Sequence, residues 1–161
     1  SVDGGTSWQS GQYRTTNTVI ITLAGEHITT KTALTITGLV NGTSYSVKIR
    51  ARNIVGAGTA SVATSAVPFT TPGKTVIQSI VTTSTTATVS FAAPVTGGRT
   101  ITSYQYSLNN GTTWVTRSSG TTASPLVITG LVTKRFYSVQ VRAVSSAGSG
   151  LASAPFRFQT K

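Results

Sequence analysis

The sequence predicts an all-β chain built as two small β-sandwiches in tandem. Three observations carry this: an internal repeat, runs of residues that alternate apolar and polar with period two, and a composition poor in helix formers. The 161 residues contain no Met and 38% apolar residues, only 9% are charged, and Thr, Val, Ile and Gly recur throughout. Such a mixture suits strands with one buried face and one β-branched polar face.

The repeat sets the number of units, which length alone leaves open. LTITGL at 34–39 recurs as LVITGL at 126–131, and the register then holds without a gap. Tyr45 matches Tyr137, Val47 matches Val139, Ile49 matches Val141, and Arg50-Ala51 matches Arg142-Ala143. Upstream, SVDGGTSW ending at Trp8 matches SLNNGTTW ending at Trp114. The first copy carries an extra segment, about 9–33, before its LTITGL.

Each element follows from its alternation. Tyr45, Val47, Ile49 and Ala51 interleave with Ser46, Lys48, Arg50 and Arg52, and Tyr137, Val139, Val141 and Ala143 with Ser138, Gln140 and Arg142. Both runs predict strands with an apolar and a polar or basic face. Ala87, Val89 and Phe91 form another such run, as do Tyr104, Tyr106 and Leu108. Asn109-Asn110-Gly111 predicts a tight hairpin turn, and Asp3-Gly4-Gly5 holds the same place in the first copy. About seven short strands in the complete unit describe a two-sheet sandwich.

From about Pro72 to Lys161 the sequence resembles a complete fibronectin type III domain, an immunoglobulin-like sandwich. The resemblance rests on a strand A around Thr75 to Val81, a strand B at Ala87 to Phe91 followed by Pro94, and Gly97, Gly98, Ile101 and Tyr104 leading into strand C. It continues with the ITGL turn, the Y-x-V-x-V-R-A strand F and the SSAGSG loop before strand G. Phe91 stands where the family often has a strand B tryptophan, and no RGD tripeptide occurs at Val55 to Gly58 or Ala147 to Gly150.

The expected organisation is a partial unit over 1–68 with strands C to G, a linker over 69–73 stiffened by Pro68 and Pro72, and a complete unit over 74–161. Matching Ser1 to Ser107 places the first residue inside strand C. The missing strands A and B are expected from upstream residues, from a neighbouring subunit, or from the extra segment folding back. Val19, Ile20, Ile21 and Leu23 in that segment are too apolar to hang in water and form a candidate assembly edge.

Catalysis is not expected. The only carboxylate side chains are Asp3 and Glu26, one in a predicted turn and one in the extra segment. His27 is the only histidine and the chain has no Cys, so neither a disulfide nor a thiolate or multi-histidine metal site can form. No cofactor is expected. Asn41-Gly42-Thr43 and Asn110-Gly111-Thr112 match a glycosylation acceptor, but both Asn-Gly pairs have turn roles. No apolar run reaches the roughly 18 residues of a membrane span.

Thirteen Lys and Arg against two acids give a formal charge of +11, which favours acidic polysaccharide, another polyanion or an acidic partner. Lys48, Arg50 and Arg52, with Arg142 at the place equivalent to Arg50, form the candidate basic interaction face. The functional expectation is a structural or adhesive module of an extracellular, cell-surface, appendage or virion fibre protein. It would act as spacer and assembly unit, with copies of itself or other subunits as partners. The alternatives are an accessory module of a secreted polysaccharide-degrading enzyme and a polyanion-binding surface protein.

Overall fold

A computed structural model describes the chain at Gln12–Thr15, Thr18–Ala24, 36–52 and 55–161, and within these residues the alternating runs form strands. The molecule divides into two units, Ser1–Pro68 and Phe69–Lys161. Among the described residues there is no helix.

The first unit contains β1 (Gln12–Thr15), β2 (Thr18–Ala24), β3 (Tyr45–Arg52) and β4 (Thr64–Ala66), ordered β1-β2-β3-β4 in one sheet. β1 and β2 form an antiparallel hairpin, with Thr15 opposite Thr18. β2 runs parallel to β3 from Thr18 opposite Ser46 to Ala24 opposite Arg52, and β4 closes the other side antiparallel. Tyr45 is buried with Ile36, Leu39 and Val47 packed around it. Its hydroxyl accepts a hydrogen bond from the Val40 backbone N–H at 2.9 Å, which pins the turn that leads into β3.

The extra segment thus adds a hairpin, but its apolar strand is not the edge. From Thr18 to Ile21, β2 is paired on both sides. Val19, Ile20 and Ile21 therefore have no free ladder to offer a neighbour, and the outer strand over that stretch is β1. Among the described residues, the pairing of β1 with β2 ends at Ile21, so that Thr22 to Ala24, and with them Leu23, have no partner from β1. Alternation alone does not distinguish an inner strand from an edge strand.

The second unit begins with β5 (Val76–Thr82), β6 (Ala87–Ala92), β7 (Ile101–Ser107) and β8 (Val115–Thr116). It continues with β9 (Leu126–Ile128), β10 (Phe136–Ser145), β11 (Gly148–Ser149) and β12 (Phe156–Gln159). One sheet is β5-β6-β9; the other is β11-β10-β7-β8, with β12 also paired to β10. The inward residues of both sheets share one core: Val89 and Phe91 of β6, Leu126 and Ile128 of β9, Tyr104 of β7, and Val139, Val141 and Ala143 of β10. Phe91 fills its core position with its ring 4.5 Å from that of Tyr104. The Tyr137 hydroxyl accepts from the Val132 N–H at 2.9 Å, repeating the Tyr45 arrangement.

Two local details differ from the sequence expectation. The β7–β8 connection is no two-residue turn: residues 108–114 form it, with Asn110 (φ 54) and Gly111 (φ 81) in the left-handed region at its tip. The stretch expected as a linker is hydrogen-bonded into the second unit. Thr70 N–H donates to Gly97 O at 2.8 Å and Gly73 N–H to Val95 O at 2.9 Å. A Cβ on Gly97 would lie 2.5 Å from Thr70 O, and one on Gly150 2.5 Å from Pro72 O, so only glycine permits these backbones to meet.

Candidate interaction face

On β3, Lys48, Arg50 and Arg52 occupy alternate positions, with Ile20, Thr22 and Ala24 of β2 as their register partners. Lys48 and Arg50 are half-buried. Arg142 holds the corresponding position on β10, in the other unit. Asp3, Trp8, Glu26 and His27 lie outside the described residues. Among the described residues no group of three His, Cys, Asp or Glu comes together.

Arg142 is a built feature rather than a loose surface cation. Its guanidinium lies over the Trp114 ring, 4.1 Å from the centroid, and its Nε donates to Gln105 Oε1 at 2.8 Å. The same Gln105 amide donates from Nε2 to Thr116 Oγ1 at 3.2 Å. The network Thr116–Gln105–Arg142–Trp114 ties β8, β7 and β10 together on their outer face. Stacking on the indole and the charge-assisted bond hold the guanidinium flat. Burial pulls the Arg142 pKa below its ordinary value, which still leaves it a cation at neutral pH.

The loop between β7 and β8 supplies the indole. Ser107 Oγ donates to Asn109 Oδ1 at 2.9 Å and accepts from the N–H of Gly111 at 2.9 Å. Asn109 Oδ1 accepts from Thr113 N–H at 2.9 Å. These bonds fold the loop so that Trp114 lies beside Gly111.

Sequence reasoning missed one pairing and one residue. It named Arg142 but not its pairing with Trp114, although Trp and Arg recur together in both copies, at Trp8 and Arg50 and at Trp114 and Arg142. It also missed Arg117, which is buried. Arg117 donates from Nε to Ser119 Oγ at 2.9 Å, from Nη1 to Ala123 O at 2.7 Å and from Nη2 to Pro125 O at 3.0 Å. It staples the loop ahead of β9. Burial pushes the Tyr104 phenol above its usual 10.0, while the Arg117 charge pulls it the other way. No sequence signal marks Arg117, because its partners are mostly backbone carbonyls.

Chemically, Arg142 offers charge and planar donors, with the Trp114 ring beneath it already covered by the guanidinium. The family model of the fibronectin type III domain matches residues 7–67 and 71–159. Endoglucanase B of Cellulomonas fimi is 34% identical over 145 residues, which cover 82% of this chain and 14% of that protein. Among solved structures, a human fourth FNIII domain is similar at 26% identity and TM-score 0.46, over 55% of this chain and 78% of that one. The domain from human fibronectin type III domain containing protein 3 is similar at 17% and 0.46, over 56% and 87%. With the family match spanning both copies of the repeat, the chain belongs to the fibronectin type III family as a tandem pair of its domains.

Proposed function

We propose that this chain is a non-catalytic connector: a pair of fibronectin type III domains that spaces and positions other parts of an extracellular multidomain protein, a polysaccharide-degrading enzyme in the first instance. The observation that carries this reading is the 34% identity to endoglucanase B across both domains, within only 14% of that protein's length. A pair of domains that takes up so small a share of an enzyme leaves room for the catalytic part elsewhere. The second unit suits the task, because its core is closed by its own strands.

The test has two parts. The purified chain incubated with soluble and insoluble β-glucan should release no reducing sugar. Inserted between a glucanase catalytic domain and a cellulose-binding domain, the full pair should outperform a single domain on insoluble substrate and match it on soluble substrate. Equal rates on insoluble substrate would contradict a spacing role.

A second reading is the spacer and assembly unit of a surface, appendage or virion fibre, favoured by the tandem repeat. It would show as ordered multimers of the purified chain, where the connector stays monomeric.

A further inference from the structure

We propose that the outer face of the β8-β7-β10-β12 sheet in the second unit is a docking surface for an acidic polysaccharide, with Arg142 and Arg157 as the anion-holding residues and Phe136 as a platform for a sugar ring. The first ground is charge. Between residues 69 and 161 there is no Asp or Glu, so no cation of this unit can pair with a side-chain carboxylate of the same unit. Charge is also placed by face: β5, β6 and β9 contain no charged residue, whereas β10 and β12 carry Arg142 and Arg157.

The second ground is preorganisation. An arginine binding an anion from a free surface loses rotamer entropy, and one already fixed does not. Arg142 is fixed by the Trp114 ring at 4.1 Å and by Gln105 at 2.8 Å. Of the five guanidinium N–H donors, only that at Nε donates a hydrogen bond among the described residues. The Nη groups remain, and their fork matches the paired oxygens of a carboxylate or sulfate.

The third ground is the row in which these groups lie. Phe136, Ser138, Gln140 and Arg142 occupy alternate positions of β10, and Arg157 is the register partner of Ser138. Arg157 is exposed. Four strand residues separate the level of Arg157 from Arg142, about 13 Å at the usual rise of a strand. Phe136 is 64% exposed at the end of the row, an open aromatic face of the kind that the apolar side of a sugar ring covers. A row of cation, amide, hydroxyl beside a second cation, and aromatic suits a linear polymer that carries charge and ring faces at intervals. A nucleic acid strand fits less well, because Arg142 already covers the indole ring that a base would stack upon.

The experiment uses the full 161-residue chain and three probes: polygalacturonate, a neutral β-glucan, and single-stranded DNA of matched charge. Polygalacturonate should bind with an affinity that falls as salt is raised, and more tightly than either other probe. Arg142→Gln should weaken it about tenfold and Arg157→Gln about threefold. The double variant Lys74→Gln/Lys161→Gln, which removes more charge elsewhere, should leave it near the parent value. Arg142→Lys keeps the charge and loses the planar fork, and should still weaken binding about fivefold; a thermal melt checks that each variant is folded. The proposal is overturned if polygalacturonate does not bind, if DNA or neutral glucan binds as tightly, or if the Lys double variant loses as much as Arg142→Gln. A chain that binds none of the probes can still serve as a connector, so failure here and failure of the connector reading are told apart.

Discussion

The two copies of the repeat keep the same hydroxyl contact and differ in what covers the strand beside it. Tyr45 and Tyr137 each accept a backbone N–H from the residue five positions earlier, both at 2.9 Å. On the strand that follows, Val141 is fully buried while the equivalent Ile49 is 46% exposed. The tyrosine contact spans five residues and travels with the local sequence. Burial depends on a second sheet: β10 is faced by β6 and β9, which share its core, whereas among the described residues Tyr45 is packed by the partly buried Ile36, Leu39 and Val47. The flanks differ too, because β10 has an antiparallel neighbour in β7 where β3 has a parallel one in β2.

The largest expected effect breaks the two copies apart. Val141→Ala should cost about 2–3 kcal/mol in urea unfolding of the full chain, through lost burial and the cavity left behind. Ile49→Ala removes more carbon but should cost less than about 1 kcal/mol, since its side chain is already half in water. Equal costs would mean that the two strands are covered alike.

Next in size is the loop staple, a feature of the second unit. Arg117→Leu leaves the Ala123 and Pro125 carbonyls without their donor, and should cost about 2 kcal/mol. A cost near zero would show that these carbonyls find water instead.

A smaller effect sharpens the likeness. Tyr137→Phe and Tyr45→Phe each delete one hydroxyl acceptor, and each should lower stability by about 1 kcal/mol. Amide exchange at Val132 and Val40 reads the two losses separately. A large loss in one copy and none in the other would show that the contact is not a local property.

The least effect is alkaline. Burial raises the Tyr104 phenol above 10.0 in the folded chain, so the folded state holds that proton more tightly than the unfolded state does. Its contribution is present in full below pH 10.0 and is lost as the pH climbs through the raised folded pKa. A urea series from neutral to alkaline pH should show the decline begin there for the parent chain and be weaker in Tyr104→Phe.

Most of the second unit was legible because its inward residues alternate along single strands. The pattern of Tyr137, Val139, Val141 and Ala143 fixes a strand and its buried face without reference to anything distant. What lay beyond reach was pairing. The run Val19 to Leu23 reads as a strand, yet alternation is the same in parallel and antiparallel neighbours and at edges and interiors, so the position of β2 beside β3 was hidden. The docking of residues 70–73 on Val95 and Gly97, and the stack of Arg142 on Trp114, join groups far apart in sequence. Repetition of Trp and Arg in both copies was the one available hint of the latter.

Residue-resolved amide hydrogen exchange on the full chain puts the central contrast to the test in one experiment. The amides of Val139, Val141 and Ala143 should exchange only through global unfolding of the second unit, while Ile49, whose N–H donates to Ser61 Oγ at 3.1 Å, should exchange through smaller local openings and far faster. Protection at Ile49 equal to that at Val141 would contradict the account, because it would require the first copy to close over its strand as fully as the second.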